Sequence, residues 1–170
     1  MKLKRFGDFV ATGPGGHEGS AILLHLQAPE LDIRIRTEDL VSPENNPHCT
    51  IISGVSPLYS IPDVGPVMLA VRSCVDGPLV LSNPSLFQGK DSDVLKMDVS
   101  GEIVTAARSA CLHLKHVEKF PTFVPHCTVA YVKKGAGDKY LSSMPREVTA
   151  TVTYVSFSSF DGTKSFLFIQ

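Results

Sequence analysis

An excess of charge of either sign is missing from this sequence. Its 170 residues carry 16 Lys and Arg against 17 Asp and Glu, for a net charge of -1 and a pI near 6.6. Nothing in that balance advertises the basic stripe of a protein that tracks a nucleic-acid polymer. Long hydrophobic runs are missing too. No apolar stretch approaches the ~18 residues of a membrane span, and the basic opening 1–6 has no hydrophobic region after it. No membrane partner and no leader are therefore expected.

Cysteine is scarce and unclustered. Cys49, Cys74, Cys111 and Cys127 show neither CxxC spacing nor a zinc pattern with histidine, so no metal and no cofactor is expected, and free thiols suit a reducing cytosol. The glycine-rich stretch 12–19, Thr-Gly-Pro-Gly-Gly-His-Glu-Gly, lacks both the Lys-Ser/Thr of a P-loop and a GxGxxG fingerprint. It reads as a flexible connection or flap. His17 within it would be solvated, and would touch a substrate only if the flap closed.

What the chain does have is a phrase used twice. Pro47-His48-Cys49-Thr50-Ile51 returns as Pro125-His126-Cys127-Thr128-Val129, in a sequence with only six His and four Cys. Each phrase follows a proline and opens an apolar run, as a buried strand does. Residues i and i+2 of a strand share a face. His48 and Thr50 would then project together away from Cys49, as would His126 and Thr128 away from Cys127. Two such strands facing one another would gather two imidazoles and two hydroxyls around one cleft. Phosphodiester cleavage without a metal uses this set: a neutral His takes a proton from the attacking hydroxyl, a protonated His gives one to the leaving oxygen, and the threonines donate to the non-bridging phosphate oxygens.

The paired phrases resemble the two-histidine (2H) phosphoesterases, a superfamily defined by two His-x-Thr/Ser motifs in the halves of a bilobal fold. The 78-residue interval between His48 and His126 and a closing hairpin over 152–158 and 166–169 are similar to that family as well. The resemblance implies that residues 1–170 form a single bilobal α+β domain, with two mainly antiparallel sheets facing a central cleft and a few flanking helices. It implies catalytic roles for His48 and His126 and phosphate binding by Thr50 and Thr128. The segment 125–135 looks most like the phage anti-CBASS nucleases, which cut 3′-5′ linkages in cyclic di- and trinucleotide immune signals. That branch would place the protein in the host cytoplasm with a small cyclic oligonucleotide as its partner, and the near-neutral charge agrees with a small nucleotide rather than long RNA. Enzymes of RNA ends, acting on 2′,3′-cyclic phosphates or 2′-5′ bonds, share the same four residues. A non-catalytic cyclic-nucleotide sponge is a further alternative, and a purely structural use of the phrase another.

Elsewhere the pattern reads mostly as strand: a core strand over 20–27, an alternating half-exposed strand over 31–36 with Arg34 and Arg36 on its polar side, then strands at 67–74, 78–81 and 94–99. Residues 56–63 read as a proline-punctuated loop whose Tyr59 would either stack on a base or pack. A helix is expected from Ser100, as N-cap, to about 119, with Ile103, Val104, Ala107, Cys111 and Leu114 on one face and His113 and His116 on the solvated other. The second motif strand would run over 126–133 into a basic loop or short helical turn at 133–140.

Overall fold

Both copies of the phrase begin a strand, and the strands lie side by side. The computed structural model describes residues 20–43, 47–117, 122–159 and 164–168. In chain order these form β1 (Ser20–Gln27), β2 (Leu40–Pro43), β3 (His48–Val55), α1 (Ile61–Cys74), β4 (Pro78–Gln88), β5 (Ser92–Ser100), α2 (Glu102–Cys111), β6 (His126–Lys133), α3 (Asp138–Leu141), β7 (Glu147–Ser158) and β8 (Lys164–Phe168). The glycine-rich stretch with His17 lies outside the described residues, as do 44–46 and 118–121.

The class is α+β with every strand pairing antiparallel, as expected. What the structure adds is continuity. The order β1-β3-β6-β5-β4-β7 returns to its start because β7 also pairs with β1, while β8 extends β7 and β2 lies on β6. The two halves thus share one hydrogen-bonded circuit rather than forming two separate facing sheets. β7 is long enough to serve both: residues 147–151 pair with β4 and residues 151–158 with β1. Its burial follows the same division. Glu147 to Val152 alternates exposed and buried, whereas Tyr154 to Phe157 is buried continuously, where α1 packs on the strand and β8 flanks it.

The core fills the face of the sheet that carries the motif cysteines. Ile22, Leu24, Ile51, Leu79, Leu81, Leu95, Met97 and Phe157 are fully buried, together with Val64, Met68 and Val71 of α1 and Val104 and Ala107 of α2. Each such side chain removes enough apolar surface from water to contribute about 1.5–3 kcal/mol. Cys49 and Cys127 are buried there as free thiols. Burial pushes the Cys49 thiol up to about 12, with Cys127 beside it adding to the shift.

Three sequence expectations change. Residues 67–74 are helix, not strand: Val64, Val67, Met68 and Val71 recur at helical spacing toward the core. The start signal lies upstream, where Asp63 Oδ2 accepts from the Ser60 N–H at 2.8 Å and from its hydroxyl at 2.5 Å, and Pro62 sits in the first turn. Much of the supposed loop 56–63 is thus a helix cap. Residues 31–36 keep their alternating burial, Leu31, Ile33 and Ile35 packing on the core, but form no strand. Alternation records facing and does not supply a ladder partner.

The third change is the helix after β5, which begins one residue later and ends about two turns earlier than expected. Ser100 closes β5, Gly101 is the cap, and α2 stops at Cys111. The chain then lies against the end of β3: Ser56 N–H donates to Lys115 O at 2.8 Å, Val117 N–H to Gly54 O at 3.0 Å, and His116 bridges to Val55. Gly54 permits this approach. Its φ is +66° and a Cβ there would meet Val117 O at 2.7 Å.

Candidate active site

Proline starts both motif strands and is anchored the same way twice. Pro47 has no N–H to give, and its carbonyl accepts from Leu26 N–H of β1 at 2.8 Å; the carbonyl of Pro125 accepts from Val99 N–H of β5 at 3.0 Å. Each motif strand is thereby fixed in register against an outer neighbour. Between them, β3 and β6 pair antiparallel at Cys49 opposite Cys127. That register brings His48 level with Thr128 and Thr50 level with His126, all four on the face opposite the thiols. The four motif residues therefore share one side of two adjacent strands, where the sequence suggested two strands facing each other. The thiols behind repeat as well, Cys49 Sγ donating weakly to Thr50 O at 3.9 Å and Cys127 Sγ to Thr128 O at 3.6 Å.

His48, Thr50 and His126 are half-buried and Thr128 is buried. The His126 ring is oriented by Nδ1, which donates to Val124 O at 3.0 Å. Because a carbonyl only accepts, this tautomer leaves Nε2 as the nitrogen that exchanges a proton with a ligand. The edge of His126 meets the half-exposed ring of Phe87 at 5.0 Å between centroids, in a T-shaped contact.

The outer neighbours bring residues that sequence reasoning missed. His25 of β1 is the Cα partner of His48, their rings 5.8 Å apart. His25 is buried, with Nε2 at 2.7 Å from Ser156 Oγ, and it stacks on Tyr154 at 4.0 Å. On the other side, Asp98 of β5 is the partner of His126, and Lys96 is the partner of Thr128. Lys96 Nζ lies 2.8 Å from Asp98 Oδ1 and 4.8 Å from the Phe87 ring centroid. The Lys96 hydrogen bond chiefly, and more weakly its charge, a contact from Asn83 and the charge of His126, hold the Asp98 carboxyl below the usual carboxylate range against a desolvation that opposes them. His25 was visible as a lone polar residue in an apolar strand, but only the strand order reveals that it neighbours His48. Nothing in the local pattern of 94–99 singles out Lys96 or Asp98.

The remaining candidates sit apart from these contacts. Tyr59 packs on the core and its hydroxyl accepts from Lys115 N–H at 3.3 Å. His116 Nδ1 bonds Leu114 O at 2.7 Å. In the basic segment after β6, Lys139 pairs with Asp39 at 2.6 Å and Lys134 donates to Lys90 O at 3.2 Å. No helix among the described residues is long and apolar enough to cross a membrane.

A solved structure of Usb1 from Kluyveromyces marxianus matches with a TM-score of 0.52 at 10% identity, over 90% of this chain and 98% of that one. The fold is shared with Usb1. Two further matches are weaker in superposition: the same Usb1 with uridine monophosphate, at TM-score 0.48 and 11% identity over 88% of this chain and 98% of that one, and the MHV ns2 PDE domain, at 0.45 and 19% over 69% and 86%. The sequence matches no protein-family model and no curated protein.

Proposed function

We propose that this chain is a two-histidine phosphodiesterase that cleaves 3′-5′ linkages of cyclic di- and trinucleotides. The observation that carries the proposal is the register at Cys49 and Cys127, which sets each motif histidine level with the other motif's threonine on one face. A phosphodiester lying across the two strands meets an imidazole on either side of phosphorus and a hydroxyl beside each. The fold shared with Usb1 supports the same reading at the level of architecture.

In this mechanism one neutral imidazole removes the proton of the ribose 2′-hydroxyl as its oxygen attacks phosphorus. The P–O5′ bond breaks and the second imidazole, protonated, delivers its proton to the leaving 5′-oxygen. Thr50 and Thr128 donate hydrogen bonds to the non-bridging oxygens, whose charge grows in the transition state. The product is a 2′,3′-cyclic phosphate, and water opens it with the two roles exchanged. The nucleophile is part of the substrate, so correct positioning alone supplies a large effective concentration. A single bilobal domain acting in the cytoplasm on a small cyclic oligonucleotide, as a phage counter to an immune signal, is the setting we propose.

The test is incubation in EDTA with cyclic dinucleotides and trinucleotides, an RNA ending in a 2′,3′-cyclic phosphate and a 2′-5′ dinucleotide, followed by mass spectrometry. Cleavage of the cyclic ligands is expected to persist in EDTA and to stop when the 2′-hydroxyl is absent. Preferential opening of the RNA end would move the substrate class, and recovery of every ligand intact would sink the enzymatic proposal.

A further inference from the structure

Position by position, the outer neighbours of the two motifs answer each other. Opposite the first motif's histidine and threonine stand His25 and Leu23; opposite the second motif's stand Asp98 and Lys96. Leu23 shows that the fold is satisfied by an apolar residue beside a motif threonine. The second half instead holds a lysine that is only 7% exposed. Its partner Asp98 is partly exposed, and a pair with one solvated member contributes little to stability, while burying the ammonium costs desolvation. A lysine in this place therefore calls for a use other than stability.

We propose that Lys96 binds the scissile phosphate, with Asp98 as its positioning residue. An ammonium has three donors. One is engaged by Asp98 Oδ1 at 2.8 Å, and the Phe87 ring steadies the cation at 4.8 Å while the same ring packs against His126. The other donors are free to serve an anion held at Thr128, the residue paired with Lys96 across the strands. Asp98, whose side chain is 36% exposed, holds that one donor from the solvent side. The inference rests on the phosphodiesterase proposal and deepens it. It makes the binding of substrate charge one-sided, coming from the second motif's half.

The ligand for the test is a 2′-deoxy cyclic dinucleotide, which keeps the phosphates and lacks the attacking hydroxyl. Its affinity is measured by calorimetry for the wild-type chain, for Lys96→Leu, which copies Leu23, for Lys96→Arg, and for Asp98→Asn. Lys96→Leu is expected to weaken binding about 10- to 100-fold, the range of one charge-assisted hydrogen bond. Lys96→Arg should stay within a few-fold. Asp98→Asn should weaken binding several-fold, an effect a merely structural pair would not produce, and it keeps the question open to test if Lys96→Leu does not fold. Equal affinity in a folded Lys96→Leu and in Asp98→Asn overturns the role of Lys96. The ribose form of the ligand separates this result from the parent proposal. Wild-type protein that binds through Lys96 yet cleaves nothing refutes the phosphodiesterase and leaves Lys96 standing, whereas cleavage with Lys96→Leu unaffected does the reverse. A chain that neither binds nor cleaves refutes both.

Discussion

The two halves of this molecule say the same thing in sequence and surround it differently in space. Around the first motif the neighbours are uncharged or weakly basic: His25, Ser156, Tyr154 and Leu23. Around the second they form an ion pair under an aromatic ring: Lys96, Asp98 and Phe87. The local build is shared down to the proline carbonyl that anchors each strand and the thiol behind each threonine. A short motif thus repeats the same local build, and the adjacent strand decides the electrostatic setting around it.

The comparison is broken most completely at the histidines. His48→Ala and His126→Ala are each expected to lower kcat by roughly 10²- to 10⁴-fold with the thermal melt unchanged. Because their surroundings differ, the two variants should lose different limbs of the pH-rate profile; superimposable profiles would mean the halves are equivalent after all. Thr50→Ala and Thr128→Ala come next, at about 10²-fold in kcat if each hydroxyl donates to developing charge. The Thr128 variant is expected to suffer more, since Thr128 is the more buried and stands beside Lys96.

His25→Phe tests the first half alone. It strands Ser156 Oγ in a buried position and should cost about 1–3 kcal/mol in a denaturant melt, and an unchanged midpoint would show that the His25 contact is dispensable. Asp98→Asn tests the second, with a stability effect within about 1 kcal/mol because the pair is partly exposed. Its folded carboxyl is depressed below 3.8. Asp98 therefore contributes stability above the unfolded value and loses it as pH falls through the lower folded one, so the difference between wild type and Asp98→Asn should shrink below about pH 4. A difference constant from pH 7 to pH 3 would contradict the ion pair.

The smallest effect is in the shared back layer. Of the four thiols only Cys74 is more than marginally exposed, and burial pushes Cys49 and Cys111 up to about 12. A disulfide reagent at neutral pH should titrate one thiol in the native chain and all four after denaturation. For the two raised thiols, stability is fully present below the unfolded value of 9.0 and falls as pH rises toward about 12. Rapid modification of two or more thiols in native protein would mean that the layer behind the motifs opens.

Much of this was readable from sequence, and the limits have a physical cause. The four motif residues, their shared face and the strand over 126–133 followed from local pattern, because parity along a strand is a local property, while the closing hairpin came from the family resemblance. The strand order is not local. Nothing in Val94-Leu95-Lys96-Met97-Asp98 says that the strand lies beside His126, so Lys96 and Asp98 were not singled out. The helix at 61–74 was lost for another reason. Its core-facing valines also suit a strand, and the deciding signal was the Ser60 and Asp63 cap, four residues before the apolar run began.

The single rung between β3 and β6 has a consequence for how such a site can change. His48 and His126 project from separate strands that meet at one Cα pair, Cys49 opposite Cys127, whose side chains lie buried on the core face behind them. Cys49 and Cys127 are small and fully buried, and they fill the core side of that one rung. A slightly larger pair would force the core or the strands to shift, since a packed interior has no room for added volume, and a strand shift would alter the separation of the two imidazoles on which the proposed mechanism depends. On the proposed function, a change of volume at these two core positions would act on the site while every group facing the ligand stayed the same.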